Sequence, residues 1–140
     1  RGAFRVMQQQ AQEQQQNAHL EIDSLVGRSK VRGCPFYLQI HKQTSGARLL
    51  RWRTNRAGTH AHVQWPEIEA ILPTYSIAIG RHCRELNQRA KELNTLDVIL
   101  QHTMRWCSYF LDGRELRSAT SVAQVGSGIK SPEARDLLPV

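Results

Sequence analysis

Phe36-Tyr37-Leu38-Gln39-Ile40-His41, Arg48-Leu49-Leu50-Arg51-Trp52-Arg53 and His60-Ala61-His62-Val63-Gln64-Trp65 decide the fold of this chain. The runs carry period-two alternation, and two turn sequences separate them: Thr44-Ser45-Gly46-Ala47 and Asn55-Arg56-Ala57-Gly58. The order predicts a three-stranded antiparallel meander. Successive strand residues point to opposite faces. One face then collects Leu38, Ile40, Leu50, Trp52, Ala61, Val63 and Trp65. The other collects Tyr37, Gln39, His41, Leu49, Arg51, Arg53, His60, His62 and Gln64. The apolar face needs a cover, and the basic face is the candidate working surface.

Charge is concentrated on the same stretch. The chain has 140 residues and a net charge of +7. Between Ser24 and Pro66 there are eight basic residues, Arg28, Lys30, Arg32, Lys42, Arg48, Arg51, Arg53 and Arg56, and no Asp or Glu. The other 11 basic residues stand against all 12 acidic ones, so the excess belongs to the sheet and its approach. That is the footprint of a polyanion-binding surface; the bland alternative is a solubilising basic face.

The flanks read as helices. Residues 1–26 hold a Gln-rich core of good helix formers, and Phe4, Met7, Ala11, Ala18, Ile22, Leu25 and Val26 form an intermittent apolar stripe. Gly27 is the expected stop. After Trp65, Pro66 suits a first helical turn, and Pro73 is expected to break the helix, giving a short helix 66–72 and a long one 73–111. In the long helix Leu72, Ile79, Leu86, Leu93, Leu100 and Cys107 recur every seven residues, with Cys83, Ala90, Met104 and Leu111 four further on. This heptad pattern predicts a coiled-coil-like seam, filled by the N-terminal helix running antiparallel or by a second copy of the chain. The fold class is therefore α+β: an N-terminal helix, a three-stranded antiparallel sheet and a long heptad-patterned helix. Residues 1–111 form one domain in this reading. Residues 112–140 form an extended tail, in which Ser131-Pro132-Glu133 opens a short terminal helix.

No apolar run of about 18 residues occurs, so no membrane helix is expected. The Gln-rich start lacks the apolar core of a signal peptide, and the chain starts at Arg1 rather than Met, which leaves residues ahead of it open. The three cysteines, Cys34, Cys83 and Cys107, have no close pairing in sequence; a cytoplasmic setting without disulfides is expected.

Catalysis finds little support. His41, His60 and His62 share a face, but arginines crowd it and no acidic or cysteine ligand accompanies them, so no metal is expected. Cys83 follows His82, but adjacent helical residues face different ways. No Gly-rich phosphate loop is present. We expect no enzyme and no cofactor.

Nucleic acid suits the basic face better, DNA ahead of RNA. A twisted sheet can enter a major groove, where Arg51 and Arg53 read guanine edges with Gln39 and Gln64 as amide readers. Lys42, Arg48 and Arg56 at the turns, with Arg28, Lys30 and Arg32 on the approach, hold phosphates. His41, His60 and His62 contact phosphate or stack, and Tyr37 is the better stacking platform. Trp52 and Trp65 read as core, while Trp106 suits either core or a partner surface. Duplex DNA, a single strand and RNA all remain open. The rival reading is an assembly subunit that uses its coiled-coil helices.

Tyr37-Leu38-Gln39-Ile40, Thr44-Ser45-Gly46-Ala47, Leu49-Leu50-Arg51-Trp52-Arg53 and the later Glu85-Leu86-Asn87-Gln88-Arg89-Ala90-Lys91-Glu92-Leu93-Asn94 also carry a resemblance. Over roughly residues 20–111 the chain resembles small helix–sheet–helix proteins of bacterial integrative conjugative elements, plasmids and transposon-associated loci. Some of these carry a cysteine cluster before the sheet, where this chain has only Cys34. The resemblance implies a mobile-element or host-defence setting and contact with nucleic acid.

Overall fold

Strands β1 (Phe36–Lys42) and β2 (Arg48–Thr54) pair antiparallel, with Leu38 opposite Trp52, Ile40 opposite Leu50 and Gln39 opposite Arg51. The register is the one that puts Leu38, Ile40, Leu50 and Trp52 on one face, as the alternation requires. Gly46, at φ 92°, takes the left-handed conformation that closes the hairpin. The computed structural model describes residues 2–58 and 60–113; residues 114–140, where most of the expected tail and its terminal helix fall, lie outside the described residues, and residues 112 and 113 end and cap the long helix.

Helix α1 (Gly2–Ser29) and helix α3 (Ile77–Asp112) run antiparallel and cover the apolar face. Their contacts fix the direction. Phe4 stacks on Phe110 at 4.6 Å near one end, His19 meets Asp97 midway, and the Arg28 carbonyl meets His82 near the other. The heptad seam of α3 is thus filled by α1 of the same chain. Leu86, Leu93, Leu100 and Cys107 are all buried, as are Ala11, Ala18, Ile22 and Leu25 opposite. Fully burying one of these leucines or the isoleucine contributes about 1.5–3 kcal/mol. Arg89 of α3 clamps Glu21 of α1 through two hydrogen bonds, and these hold the Glu21 carboxyl below its usual range.

Helix α1 does not stop at Gly27; it continues to Ser29. Gly27 stays helical because the next turn has something to dock. The Ser29 hydroxyl donates to the Val26 carbonyl at 2.7 Å and accepts the Leu38 amide at 2.8 Å. One buried serine therefore ends the helix and caps the outer edge of β1.

The third strand is shorter than the sequence suggests. The pattern predicts His60–Trp65; strand β3 is only Ala61–His62, paired with Thr54 and Arg53. Ala61 is exposed, not part of the apolar face. Trp65 already opens helix α2 (Trp65–Ile71), with Pro66 in its first turn. The remaining edge of β2 is covered by side chains of α3. Asn94 takes both backbone groups of Leu50, accepting its N–H at 2.7 Å and donating to its carbonyl at 3.1 Å. Asp97 accepts the Arg48 N–H at 2.7 Å. Buried backbone groups must be paired, and here a helix supplies what a strand otherwise would.

Pro73 breaks the helix as expected. A 3-10 turn over Leu72–Thr74 follows α2, Tyr75 is extended, and the Ser76 hydroxyl accepts the Ile79 amide to cap α3. The long helix therefore starts at Ile77 rather than at residue 73, and it ends on Gly113 in the left-handed conformation. No helix among the described residues is long and apolar enough to cross a membrane.

Candidate nucleic-acid interface

The face of the sheet turned away from α1 and α3 presents Gln39, His41 and Arg51 exposed, with Tyr37 and Arg53 half-buried beside them. Its geometry follows from the hairpin register, which places Gln39 against Arg51 and Tyr37 against Arg53. Side chains directly opposite on an antiparallel pair are close enough to act on one ligand.

At the far end of this face His60 folds back over the sheet. Its Nδ1 is 2.9 Å from the Tyr37 hydroxyl, and its carbonyl accepts a hydrogen bond from the Arg53 guanidinium. Tyr37 and His60 also meet edge to face at 6.2 Å. Tyr37 and Arg53 are therefore partly committed to holding the loop. Among the described residues Arg51 makes no such bond to the loop.

Two depressions flank the hairpin. A cleft of about 600 Å3 lies on the β1 side, lined by Lys30 and Arg32 of the connector with Tyr37, Gln39, Asn55 and His60. A groove of about 510 Å3 lies on the β2 side, where β3 is too short to fill the edge. Arg51, His62 and Gln64 line it with Asn87, Lys91 and Asn94 of α3. Asn87 accepts the Trp52 indole N–H at 3.0 Å, and Trp52 packs against Trp65 at 5.7 Å. The two tryptophans thus belong to the wall and core: strand alternation accounts for Trp52, while Trp65 reaches it from the first turn of α2.

The expected site residues do not all share one surface. Lys30, Arg32, Tyr37, Gln39 and His60 gather at the first cleft; Arg51, His62 and Gln64 gather at the second groove. His41 stands at the hairpin end, opposite Leu49. Lys42 and Arg48 pair with each other in the phase of Ile40 and Leu50, so their side chains leave the sheet on the helix-covered side. Arg28 is exposed at the end of α1, and Arg56 is exposed in the 3-10 turn after β2.

Three features escaped the sequence reading. Lys91 adds a cation to the groove from α3. Asp97 occupies a seam position four residues after Leu93 and is fully buried, accepting from His19, Gln15 and the Arg48 amide. A charged residue in an apolar heptad position was the signal available for it. Cys34 and Cys83 have no close pairing in sequence, yet their sulfurs lie 3.8 Å apart. The Cys83 hydrogen bond pulls the Cys34 thiol down to about 6, and the same bond together with burial raises Cys83.

Among the described residues no cluster of three or more His, Cys, Asp or Glu is placed to hold a metal ion. Comparison with protein-family models, with curated proteins and with solved structures gives no match.

Proposed function

We propose that this chain is a non-enzymatic nucleic-acid-binding protein, with DNA as its first ligand, working through the exposed face of the sheet and the two depressions beside it. One observation carries the reading: Lys30, Arg32, Arg51, Gln39 and Gln64 lie around one hairpin, inside a stretch that contains no acidic residue. Cations supply phosphate contacts, and Arg51 with the amides supplies donors and acceptors of the kind that read base edges. The resemblance to mobile-element proteins supports a bacterial mobile-element or defence setting, and we place the protein in the cytoplasm.

The test is fluorescence anisotropy with labelled duplex DNA, single-stranded DNA and RNA of equal length over a salt series. With about four phosphate contacts, affinity falls roughly a hundredfold between about 50 and 200 mM salt. Absence of binding to all three at low salt defeats the reading.

A second reading rests on a different surface. At the end of the helix pair nearest Gly113, Phe4, Met7, Ile99, Trp106 and Phe110 line an apolar groove of about 360 Å3, and Trp106 is 51% exposed. Exposed aromatics of this kind suit an assembly subunit. Sedimentation of wild type against Trp106→Ala separates the readings, because a surface used for self-association changes mass when Trp106 is lost.

A further inference from the structure

Cys34 sits in the connector between α1 and β1, half-exposed in the wall of the cleft that also holds Lys30 and Arg32. Cys83 lies behind it on α3 and is buried. The two sulfurs are 3.8 Å apart, although 49 residues separate them in sequence. A disulfide needs about 2.05 Å. Cys83 is fixed in the second turn of a long helix, so the approach must come from Cys34, whose connector belongs to no helix or strand and includes Gly33 at φ 87°.

We propose that Cys34 and Cys83 form a dithiol switch that is oxidised by a small anionic disulfide of the glutathione class entering the cleft beside Lys30 and Arg32. The proposal stands independently of the nucleic-acid reading. Position assigns the roles. Cys34 faces the cleft and attacks; Cys83 lies out of reach of the ligand and resolves.

In the first step the Cys34 thiolate attacks one sulfur of the small disulfide. A Cys34 mixed disulfide forms, and one small thiolate leaves with the electron pair of the broken bond. In the second step Cys83 gives its proton to solvent or to the departing thiolate and attacks the Cys34 sulfur, expelling the second small thiol. Two protein thiols are oxidised by two electrons, and one small disulfide is reduced to two thiols. Removing the Cys34 thiolate in the first step also frees Cys83 from the neighbour that opposes its ionisation. Carboxylates on the incoming molecule find Lys30 and Arg32 at the mouth of the cleft. Cys107 is buried in the helix seam and serves as an internal control.

The experiment uses the full chain, purified reduced, treated with glutathione disulfide near neutral pH, quenched with acid and alkylated. Intact mass and non-reducing peptide mapping are then read. The expected result is a chain lighter by two hydrogens, with a Cys34–Cys83 linked peptide and Cys107 alkylated. The Tm of this form rises by on the order of 10 °C, and dithiothreitol reverses the rise. Cys83→Ala, checked for folding by circular dichroism, stops at a glutathione adduct on Cys34. Wild-type mapping needs no variant, so an unfolded Cys83→Ala does not decide the matter. Four outcomes overturn the proposal: both thiols persist, the adduct on Cys34 persists in wild type, chains become linked to one another, or the purified chain carries zinc that protects the pair.

Discussion

Asp97 of α3 accepts the backbone N–H of Arg48 in β2 at 2.7 Å, from a carboxylate that is fully buried. The same carboxylate receives His19 of α1 at 2.7 Å. One side chain therefore joins both helices to the sheet where no third strand runs. Asp97→Leu leaves the Arg48 amide and the His19 ring without an acceptor. We expect a loss of about 3 kcal/mol in urea denaturation, and a smaller one for Asp97→Asn, which keeps an oxygen for Arg48. Equal stability of Asp97→Leu and wild type removes Asp97 from this role.

Asn94 makes a narrower prediction. It occupies both backbone groups of Leu50, so Asn94→Ala opens that edge. Hydrogen exchange of the Leu50 amide accelerates in the variant, while that of Leu38, held by Ser29, stays as it was. The stability cost is about 1–3 kcal/mol. Uniform acceleration across the sheet would point to global unfolding in place of an opened edge.

Arg51 and Lys42 test the working face against each other. Arg51 is exposed beside Gln39, whereas Lys42 shares the helix-side phase of Ile40. Arg51→Ala weakens binding by about 1–3 kcal/mol, the cost of a lost base-edge contact, and Lys42→Ala leaves it unchanged. Anisotropy titrations at four or more salt concentrations measure both. The reverse ranking would place the interface on the other side of the hairpin.

The cysteine pair predicts a pH profile. Because hydrogen bonding by Cys83 lowers Cys34 to about 6, the reactive thiolate is present above that pH and is lost as pH falls through it. Alkylation of Cys34 by iodoacetamide should therefore rise through about pH 6 and level off before pH 8. Cys83→Ala moves the inflection up towards about 8.5, the ordinary thiol value. An inflection that stays put in the variant excludes Cys83 as the cause.

Leu86→Asp with Leu93→Asp separates the two ways of filling a heptad seam. Both leucines face the core between α1, α3 and the sheet. We expect loss of cooperative folding by circular dichroism, because two carboxylates enter an apolar interior. A folded chain of lower sedimenting mass would instead assign the seam to a second copy.

Local periodicity carried most of the architecture. Period two in Tyr37–Ile40 and Leu49–Trp52 placed the hairpin and its faces, and the seven-residue recurrence of Leu86, Leu93 and Leu100 placed the long helix. Pro73 marked the helix break. These are legible because they depend on residues within one or two turns of each other. The confinement of basic residues to one stretch was equally legible, since it is a property of the sequence itself.

Other features were settled only by the tertiary structure, for a common reason. The third strand stopped at His62 because Asn94 and Asp97, 44 and 49 residues from their partners, satisfy the edge it would have paired with. Gly27 stayed helical because Ser29 meets Leu38. The basic residues divided between two depressions according to the register of β1 on β2 and the path of the connector. Cys34 met Cys83 only because α3 returns beneath the start of β1. Hydrogen bonds and thiol contacts are short and directional, so whether two distant groups pair depends on how whole elements dock. Burial patterns tolerate variation in that docking, and they survive in the one-dimensional code.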